Sequence, residues 1–314
     1  MTDVIRLVLD VTDAEDGERL DRFISQRAAD ISRSYAQDLI KDGNVRVDET
    51  VARPARRVHA GDVVELSLPP IQQPTDLTPA FVPVPIVYED DDVIVFDKPA
   101  GLVTHPAPGH EHGTLVNVVR ALRPDLELRD AARPGVVHRL DKDTSGLIVI
   151  AKNEATRQYL LKQWQRRTVV KRYTALVHGV IEEHEGTIDA PIGRDPNNRK
   201  RMWVVAAGRP AVSHFEIVER FRDATLVSVI IETGRTHQIR VHFAYIKHPL
   251  VGDKTYSGRP FRYELDRQFL HATALTFDLP GGRRIEVETP LPSDLSAVLA
   301  DLRSEDSSKP GRRG

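Results

Sequence analysis

Residues 138–150 read HRLDKDTSGLIVI, a charged and polar segment followed by an apolar run. The run LIVI is short and β-branched, which predicts a buried strand. Reactive groups concentrate in loops that a rigid strand holds in place, so the polar half is a candidate site. The alternative is a plain turn in which Asp143 and Ser145 cap backbone groups and Gly146 supplies an unusual φ.

Further short apolar runs flank this segment and are bounded by Gly, Pro or Asp, as strands are. They are Val93–Phe96, Val169–Val180 and Leu226–Ile231. Asn153 caps a predicted helix that runs to Gln165, and a shorter helix is predicted from about Thr236. Strands and short helices alternate without a repeating βαβ rhythm, which predicts an α+β fold.

The first seventy residues have a different pattern. Apolar residues at helical spacing predict a helix from about Leu20, and a second short helix ends before Gly43. A hairpin is predicted around Asp48-Glu49, and alternation predicts a half-buried strand over residues 64–68. We therefore predict a small domain at 1–70, a proline-containing linker at 71–85, a larger domain at 86–303 and a disordered tail at 304–314.

Composition narrows the function classes. The chain has 314 residues, no cysteine and a formal net charge of −2. The lack of cysteine excludes disulfide frameworks, thiolate nucleophiles and cysteine-based metal sites. We find no signal-peptide pattern and no apolar run long enough to span a membrane, so a cytoplasmic protein with no membrane partner is expected.

Basic residues cluster locally despite the balanced total. Residues 152–172 carry a net charge of +6, residues 194–209 carry +4, and the two tryptophans, Trp164 and Trp203, lie within these segments. Basic stretches that contain aromatic residues are typical of proteins that bind a polyphosphate such as RNA. Solvated helix and loop surfaces are the alternative interpretation.

Two other segments carry candidate side chains. Residues 233–242, TGRTHQIRVH, place Arg240 about one helical turn beyond Thr236, from where it can project into a cleft. The three histidines at 105–112 suggest a metal site, but no matching carboxylate pattern accompanies them, so we favour a polar substrate loop and expect no metal. No glycine-rich nucleotide loop is present in the sequence, so no nucleotide cofactor is expected.

Taken together, these segments resemble the RluA/RluD-type RNA pseudouridine synthases. The resemblance rests on HRLDKDTSGL at 138–147, KRYTALVHG at 171–179, TGRTHQIRVH at 233–242, DKPAGLVTHP at 97–106 and FLHA at 269–272. The first region resembles an S4 RNA-binding domain through RLDRFI at 19–24, SRSYAQDLIKDGNVRV at 32–47 and GDVVEL at 61–66, although Asp48-Glu49 replaces the usual Asn-Gly. The resemblance implies a catalytic domain built on a mixed, largely antiparallel sheet with a central cleft, and it is closest to members that act on large-subunit rRNA.

The resemblance also implies roles for individual residues. Asp141 falls on the family's nucleophilic aspartate, Tyr173 on its active-site tyrosine and Arg240 on the arginine that pairs with the aspartate. Arg139 falls on an arginine that enters the RNA where the target base leaves the stack. The remaining expected RNA contacts are His138, Arg235, His237, Lys171, Arg172, Arg166 and Arg167.

These residue types suit the isomerisation of uridine, a reaction that needs neither metal nor cofactor. An ionised carboxylate is a nucleophile, a guanidinium can fix its rotamer, and a tyrosine offers a ring for stacking and a hydroxyl for proton transfer. Whether Asp141 attacks C1′ or assists elimination stays open. The expected partner is large-subunit rRNA, free or within an assembling particle, and the protein is expected to be a monomer.

Two other functions are considered. The pattern Asp141-x-Asp143-Thr144 resembles that of aspartate-nucleophile phosphohydrolases, which need Mg²⁺ and a longer apolar strand before the first aspartate. A protein that binds RNA without chemistry is the second alternative, because a fold does not by itself establish an activity.

Overall fold

The computed structural model describes residues 5–28, 31, 33–53, 55–68, 82–105, 113–124, 126, 135–198 and 201–307. Most of the predicted linker at 71–85 lies outside these residues, as do His110 and His112 of the segment considered for metal. No helix in the described ranges is long and apolar enough to cross a membrane.

The first described part is a four-stranded antiparallel sheet with two helices. Its strands lie in the order β1-β4-β2-β3. The elements are β1 (Ile5–Asp10), α1 (Leu20–Arg27), α2 (Arg33–Lys41), β2 (Val45–Val47), β3 (Thr50–Val51) and β4 (Val63–Leu68). The two helices, the hairpin and the alternating strand were all predicted from the sequence, and the structure confirms them.

Two local features explain this small domain. Asp48 and Glu49 both have positive φ, 49° and 65°, so they supply the hairpin conformation that Asn-Gly usually provides. Asp21 is buried and accepts hydrogen bonds from Arg19, Arg33 and Gln37, which ties α1 to α2. Burial alone would raise the pKa of Asp21, but these three donors hold it well below its usual range.

The larger part is built on a nine-stranded mixed sheet. Its strands follow the order β5-β6-β7-β14-β8-β13-β12-β9, and β15 pairs with β14. The strands are β5 (Ile86–Glu89), β6 (Val93–Lys98), β7 (Ser145–Ala151), β8 (Val170–His178), β9 (Glu185–Asp189), β12 (Val212–Arg220), β13 (Ala224–Ile231), β14 (Leu270–Asp278) and β15 (Arg284–Glu288). All pairs are antiparallel except β7 with β14, which confirms the expected mixed, largely antiparallel sheet.

The remaining described elements pack around this sheet. They are α3 (Leu115–Leu122), α4 (Glu154–Arg166), α5 (Gln238–Tyr245), α6 (Ser293–Ser307) and the hairpin of β10 (Ile192–Arg194) with β11 (Met202–Val204). Because α6 continues to Ser307, residues 304–307 are helical, whereas the sequence analysis expected them to begin a disordered tail. The rest of that segment lies outside the described residues.

Strand β7 explains why residues 147–150 are uniformly apolar. All its residues are buried. Ile148 and Ile150 pack in one hydrophobic cluster, and Leu147 and Val149 pack in another that includes Leu160 of α4. The strand is therefore covered on both faces, which removes the usual alternation of apolar and polar residues. Its polar N-terminal flank opens at the sheet end where the candidate site lies.

Gly146 makes the junction between β7 and β14 possible. It has a φ of +112°, and a Cβ built there would lie 2.3 Å from the carbonyl oxygen of Ala272. A side chain would therefore separate the two strands. The parallel pairing joins only His271 with Ser145 and Ala272 with Gly146. From Ala274 onward, this edge of β14 pairs with β15 instead.

Candidate active site

The polar loop before β7 is held by hydrogen bonds from distant parts of the chain. Thr104 donates from its hydroxyl to the carbonyl of Leu140 at 3.1 Å, and the guanidinium of Arg267 donates to the carbonyl of Asp143 at 3.3 Å. The side-chain amide of Gln268 donates to the Thr144 hydroxyl at 3.2 Å. Asp141 therefore lies on a fixed backbone, in the middle of a segment anchored at both ends.

Lys98 provides a further anchor from β6. Its buried ammonium donates to the carbonyls of Pro99 and Leu102 at 2.8 Å each, and to that of Lys142 at 3.1 Å. Burial lowers the pKa of Lys98 to about 7, while the nearby carboxylates of Asp141 and Asp143 oppose the shift. All three N–H donors of this lysine are paired, which is the pattern of a structural group.

Arg240 connects the loop to α5. Its Nη1 donates to Oδ2 of Asp141 at 3.2 Å, and its Nε and Nη2 donate to the two oxygens of Asp253 at 2.7 and 3.0 Å. Only 8% of the Arg240 side chain and 17% of the Asp141 side chain are exposed. Burial disfavours the charged guanidinium, but the carboxylates of Asp253 and Asp141 more than compensate and raise the pKa of Arg240 further.

The turn before α5 is strained. His237 precedes the helix with a φ of +59°, a left-handed conformation that is uncommon for a residue other than glycine. Gln238 stabilises the turn, because its amide oxygen accepts from the Thr233 hydroxyl and from the backbone N–H of Arg235 at 2.7 and 3.0 Å. His237 itself contacts the hydroxyl of Tyr256 through Nδ1 at 2.8 Å.

Asp253 is a site residue that the sequence analysis missed. Its side chain is fully buried, and besides Arg240 it accepts the backbone N–H groups of Thr255 and Tyr256 at 2.8 and 3.1 Å. The glycine before it, Gly252, has a φ of +74°, and a Cβ there would lie 2.1 Å from the carbonyl oxygen of Arg267. The dipeptide Gly252-Asp253 is the sequence feature that marks this turn.

Tyr173 lies beside Asp141 on the floor of the groove. It belongs to β8, where its backbone lies between Val229 of β13 and Ala272 of β14. It is 7% exposed. Burial first, and the negative charge of Asp141 second, raise the pKa of Tyr173 above its ordinary value, so its hydroxyl stays protonated at neutral pH.

A single groove of about 450 Å³ contains most of the predicted site residues. The catalytic candidates Asp141, Tyr173 and Arg240 line it, as do the expected RNA contacts His138, Arg139, Lys171, Arg167, Arg235 and His237. This groove matches the expected central cleft.

Arg172 and Arg166 do not line it. Arg172 is exposed on the opposite face of β8 from Tyr173 and reaches Ser228, and Arg166 is exposed at the end of α4.

The second basic segment reaches the site indirectly. The guanidinium of Arg201 lies 4.9 Å from the ring centre of Trp203 and 5.3 Å from that of Tyr256. Tyr256 in turn lies 5.1 Å from the guanidinium of Arg240. The hairpin of β10 and β11 therefore connects to Arg240 through the ring of Tyr256, in a stack of rings and guanidinium groups.

His138 lines the groove beside Trp164 of α4. Its ring is stacked on Trp164 with centres 4.9 Å apart, and its Nε2 accepts the backbone N–H of Val149 at 3.1 Å. Burial, and then the charge of Lys171, lower the pKa of His138 to about 3. His138 is therefore a neutral ring at physiological pH, and it lines the groove.

Metal ions are held by grouped side chains, chiefly those of His, Asp and Glu in a chain without cysteine. No three His, Asp or Glu side chains within the described ranges are grouped as metal ligands. Asp141, which a phosphohydrolase would use beside Mg²⁺, is paired with the guanidinium of Arg240. A carboxylate that a guanidinium holds in one orientation suits a nucleophile for an organic substrate.

Known proteins are similar to this chain in sequence and in fold. Residues 92–245 match the RNA pseudouridylate synthase family model, and residues 18–64 match that of the S4 domain. The chain is 45% identical to ribosomal large subunit pseudouridine synthase D of Pseudomonas aeruginosa, over 97% of this chain and 98% of that protein. It is also 45% identical to the uncharacterized RNA pseudouridine synthase YlyB of Bacillus subtilis, over 94% and 98%.

A solved structure agrees. Human RNA pseudouridylate synthase domain containing 4 is 25% identical and superposes with a TM-score of 0.56, over 69% of this chain and 92% of that one. The expected α+β fold, with an S4 domain before the catalytic domain, is confirmed. This chain belongs to the RNA pseudouridine synthases, as its sequence relatives, its fold and its family matches show.

Proposed function

We propose that this protein isomerises specific uridines of large-subunit ribosomal RNA to pseudouridine, with Asp141 as the nucleophile. The observation that carries the proposal is the ion pair between Asp141 and Arg240 on the floor of a basic groove. The relative from Pseudomonas aeruginosa is named for the large ribosomal subunit, and it supports this choice of RNA.

In the reaction the bond between N1 of uracil and C1′ of ribose breaks, and a bond from C5 to C1′ forms. The C5 proton is lost and N1 gains a proton, so nothing is consumed or released overall. Asp141 either attacks C1′ or assists elimination at the sugar, and Arg240 fixes the carboxylate in both cases. Tyr173 packs its ring against the uracil, and its protonated hydroxyl donates a hydrogen bond to the base.

The target uridine must leave the helix stack to reach a carboxylate at the bottom of a groove. Base extrusion costs a few kcal/mol, and an inserted side chain can offset part of that cost. Arg139 is exposed and lines the groove two residues before Asp141. It is therefore the side chain that fills the space which the uridine leaves.

The test is to map pseudouridines in rRNA from cells with and without the protein, and then with Asp141→Asn. We expect specific pseudouridines to disappear, and the variant to bind RNA normally without forming product. Asp143→Asn is the matched control, because its carboxylate makes no contact with Arg240 among the hydrogen bonds of the described chain. Pseudouridine formation by the Asp141 variant would contradict the proposal, and Mg²⁺-dependent phosphatase activity lost in both variants would favour a phosphohydrolase.

The remaining sequence expectations stay predictions. They are a monomer, a cytoplasmic location, and large-subunit rRNA as the substrate, either free or within an assembling particle. Sedimentation of the protein alone would test the monomer. A comparison of its activity on free rRNA and on assembly intermediates would test the form of the substrate.

A further inference from the structure

The groove extends well beyond the catalytic residues. We call the part beside the C-terminal half of α4 the Trp164 end. It is lined by Val137, His138, Leu161, Trp164, Gln165, Arg167, Lys171 and Glu232. Lys171 and Tyr173 lie on the same face of β8, two residues apart, which separates them by about 6.6 Å along the strand. The mechanism described above uses none of this second region.

Lys171 is buried here without an adequate set of partners. It is 5% exposed, and the structure gives its ammonium one hydrogen bond, to the carbonyl of Glu232 at 3.2 Å. Lys98 is buried to a similar degree but donates to three carbonyls. A buried ammonium that lines a groove with donors to spare has the chemistry of an anion-binding group, because an unpaired buried charge is costly.

Other cations surround Lys171. Arg167 ends α4 and pairs with the Glu232 carboxylate at 3.2 Å, and Arg235 lies across the groove. Burial and then the charge of Arg167 lower the pKa of Lys171 to about 8, and burial followed by the charges of Arg209 and Arg167 lowers that of Arg235. One carboxylate does not neutralise this group, so a bound phosphate would relieve the repulsion among its members.

Aromatic rings lie next to these cations. Trp164 is half-buried, and its ring is stacked against the neutral ring of His138. Tryptophan rings beside basic residues are typical of sites where single-stranded nucleic acid stacks its bases. The Trp164 end thus offers a phosphate site and a stacking surface in the same groove.

We propose that the Trp164 end binds the nucleotide adjoining the target uridine, with its phosphate at Lys171 and its base against Trp164. The proposal rests on the proposed function, since it needs an RNA whose uridine reaches Asp141. It assigns substrate recognition to residues outside the catalytic group. The extruded segment is then two nucleotides long, and the identity of the second base affects the rate.

The stacking contact is tested with short RNA hairpins that carry the mapped uridine and an abasic residue on one side of it or the other. We expect the abasic residue on one side to lower kcat/KM of the unchanged protein about tenfold or more, within the range for base–aromatic stacking. Trp164→Leu should lower kcat/KM by a similar factor on intact RNA, and it should not lower kcat/KM further on that abasic RNA. Trp164→Phe keeps a ring and should retain most of the activity.

The phosphate contact is tested with Lys171→Met. We expect KM to rise about tenfold with kcat nearly unchanged, and the slope of log affinity against log salt to fall by about one. Lys254→Met is the matched control, because Lys254 is an exposed lysine outside the groove whose ammonium lies 3.4 Å from the carboxylate of Asp266. It should change neither KM nor the salt slope.

The proposal is overturned if both abasic RNAs react like the intact RNA, or if Trp164→Leu costs the same on all three. A normal salt slope in Lys171→Met would overturn the phosphate assignment. If the unchanged protein forms no pseudouridine in any rRNA, it is the proposed function that fails, and the two outcomes are therefore distinct.

Discussion

Replacing Asp253 by asparagine tests whether Asp253 fixes the orientation of Arg240. The substitution keeps the shape of the side chain but removes its charge, and at most one of the two bonds to Arg240, now 2.7 and 3.0 Å long, can persist. Each hydrogen bond to a charged group contributes about 1.5–3 kcal/mol, and breaking a buried ion pair costs about 3–5 kcal/mol. We expect Asp253→Asn to lower the free energy of unfolding by about 3 kcal/mol.

The same change should affect the reaction. Arg240 reaches Asp141 through Nη1 alone, at 3.2 Å, so a guanidinium no longer fixed by Asp253 orients the carboxylate poorly. We expect kcat to fall about 10- to 100-fold, since each factor of ten corresponds to about 1.4 kcal/mol of barrier. Denaturant unfolding and single-turnover pseudouridine formation on an rRNA fragment measure the two effects.

A neighbouring aspartate provides the control. Asp266 is fully exposed and its carboxylate lies 3.4 Å from the ammonium of Lys254, a surface pair of the kind that contributes at most about 1 kcal/mol. Asp266→Asn should therefore leave unfolding and rate nearly unchanged. If Asp253→Asn behaves like this control in both measurements, the reasoning that Asp253 holds Arg240 is refuted.

Three other changes have defined outcomes. Tyr173→Phe should lower kcat about tenfold, because a hydrogen bond from the hydroxyl to the base contributes about 0.5–1.5 kcal/mol and each factor of ten corresponds to about 1.4 kcal/mol. Unfolding should be nearly unchanged, because the described residues give this hydroxyl no hydrogen bond. Lys98→Met leaves three carbonyls unpaired and should lower the unfolding free energy by about 2–4 kcal/mol in a denaturant titration. The third concerns pH: because the pKa of Lys171 is lowered to about 8, RNA affinity should be full below pH 8 and weaken above it. Titration of binding between pH 7 and 9 should show this loss in the unchanged protein and none in Lys171→Met.

Much of the fold was predictable because local patterns agree with it. The uniformly apolar run at 147–150 becomes a strand covered on both faces, and Asn153 caps α4 by accepting the N–H of Thr156. The loop before β7 and the segment at 233–242 were both identified as sites. The structure joins them through Asp141 and Arg240, as the family resemblance implied.

Other parts depend on contacts between residues far apart in the chain. Asp253 and Arg267 lie in loops whose positions no local period specifies, and they become recognisable only when the sheet brings them beside Arg240 and Asp143. The position of Arg172 outside the groove has a simpler reason. Side chains alternate along a strand, so a buried Tyr173 already requires its neighbour to face away.

The short parallel pairing of β7 with β14 has a mechanical consequence. Asp141 is carried by the part of the sheet that ends in β7, whereas Tyr173 and Arg240 belong to the part that begins at β14, and backbone pairing connects the two parts through two residue pairs. The Asp141–Arg240 ion pair spans this boundary, so a change in the angle between the parts would change its length. Because the chain lacks cysteine, a fluorophore pair attached at two introduced thiols, one on each part, would follow that angle while RNA enters the groove.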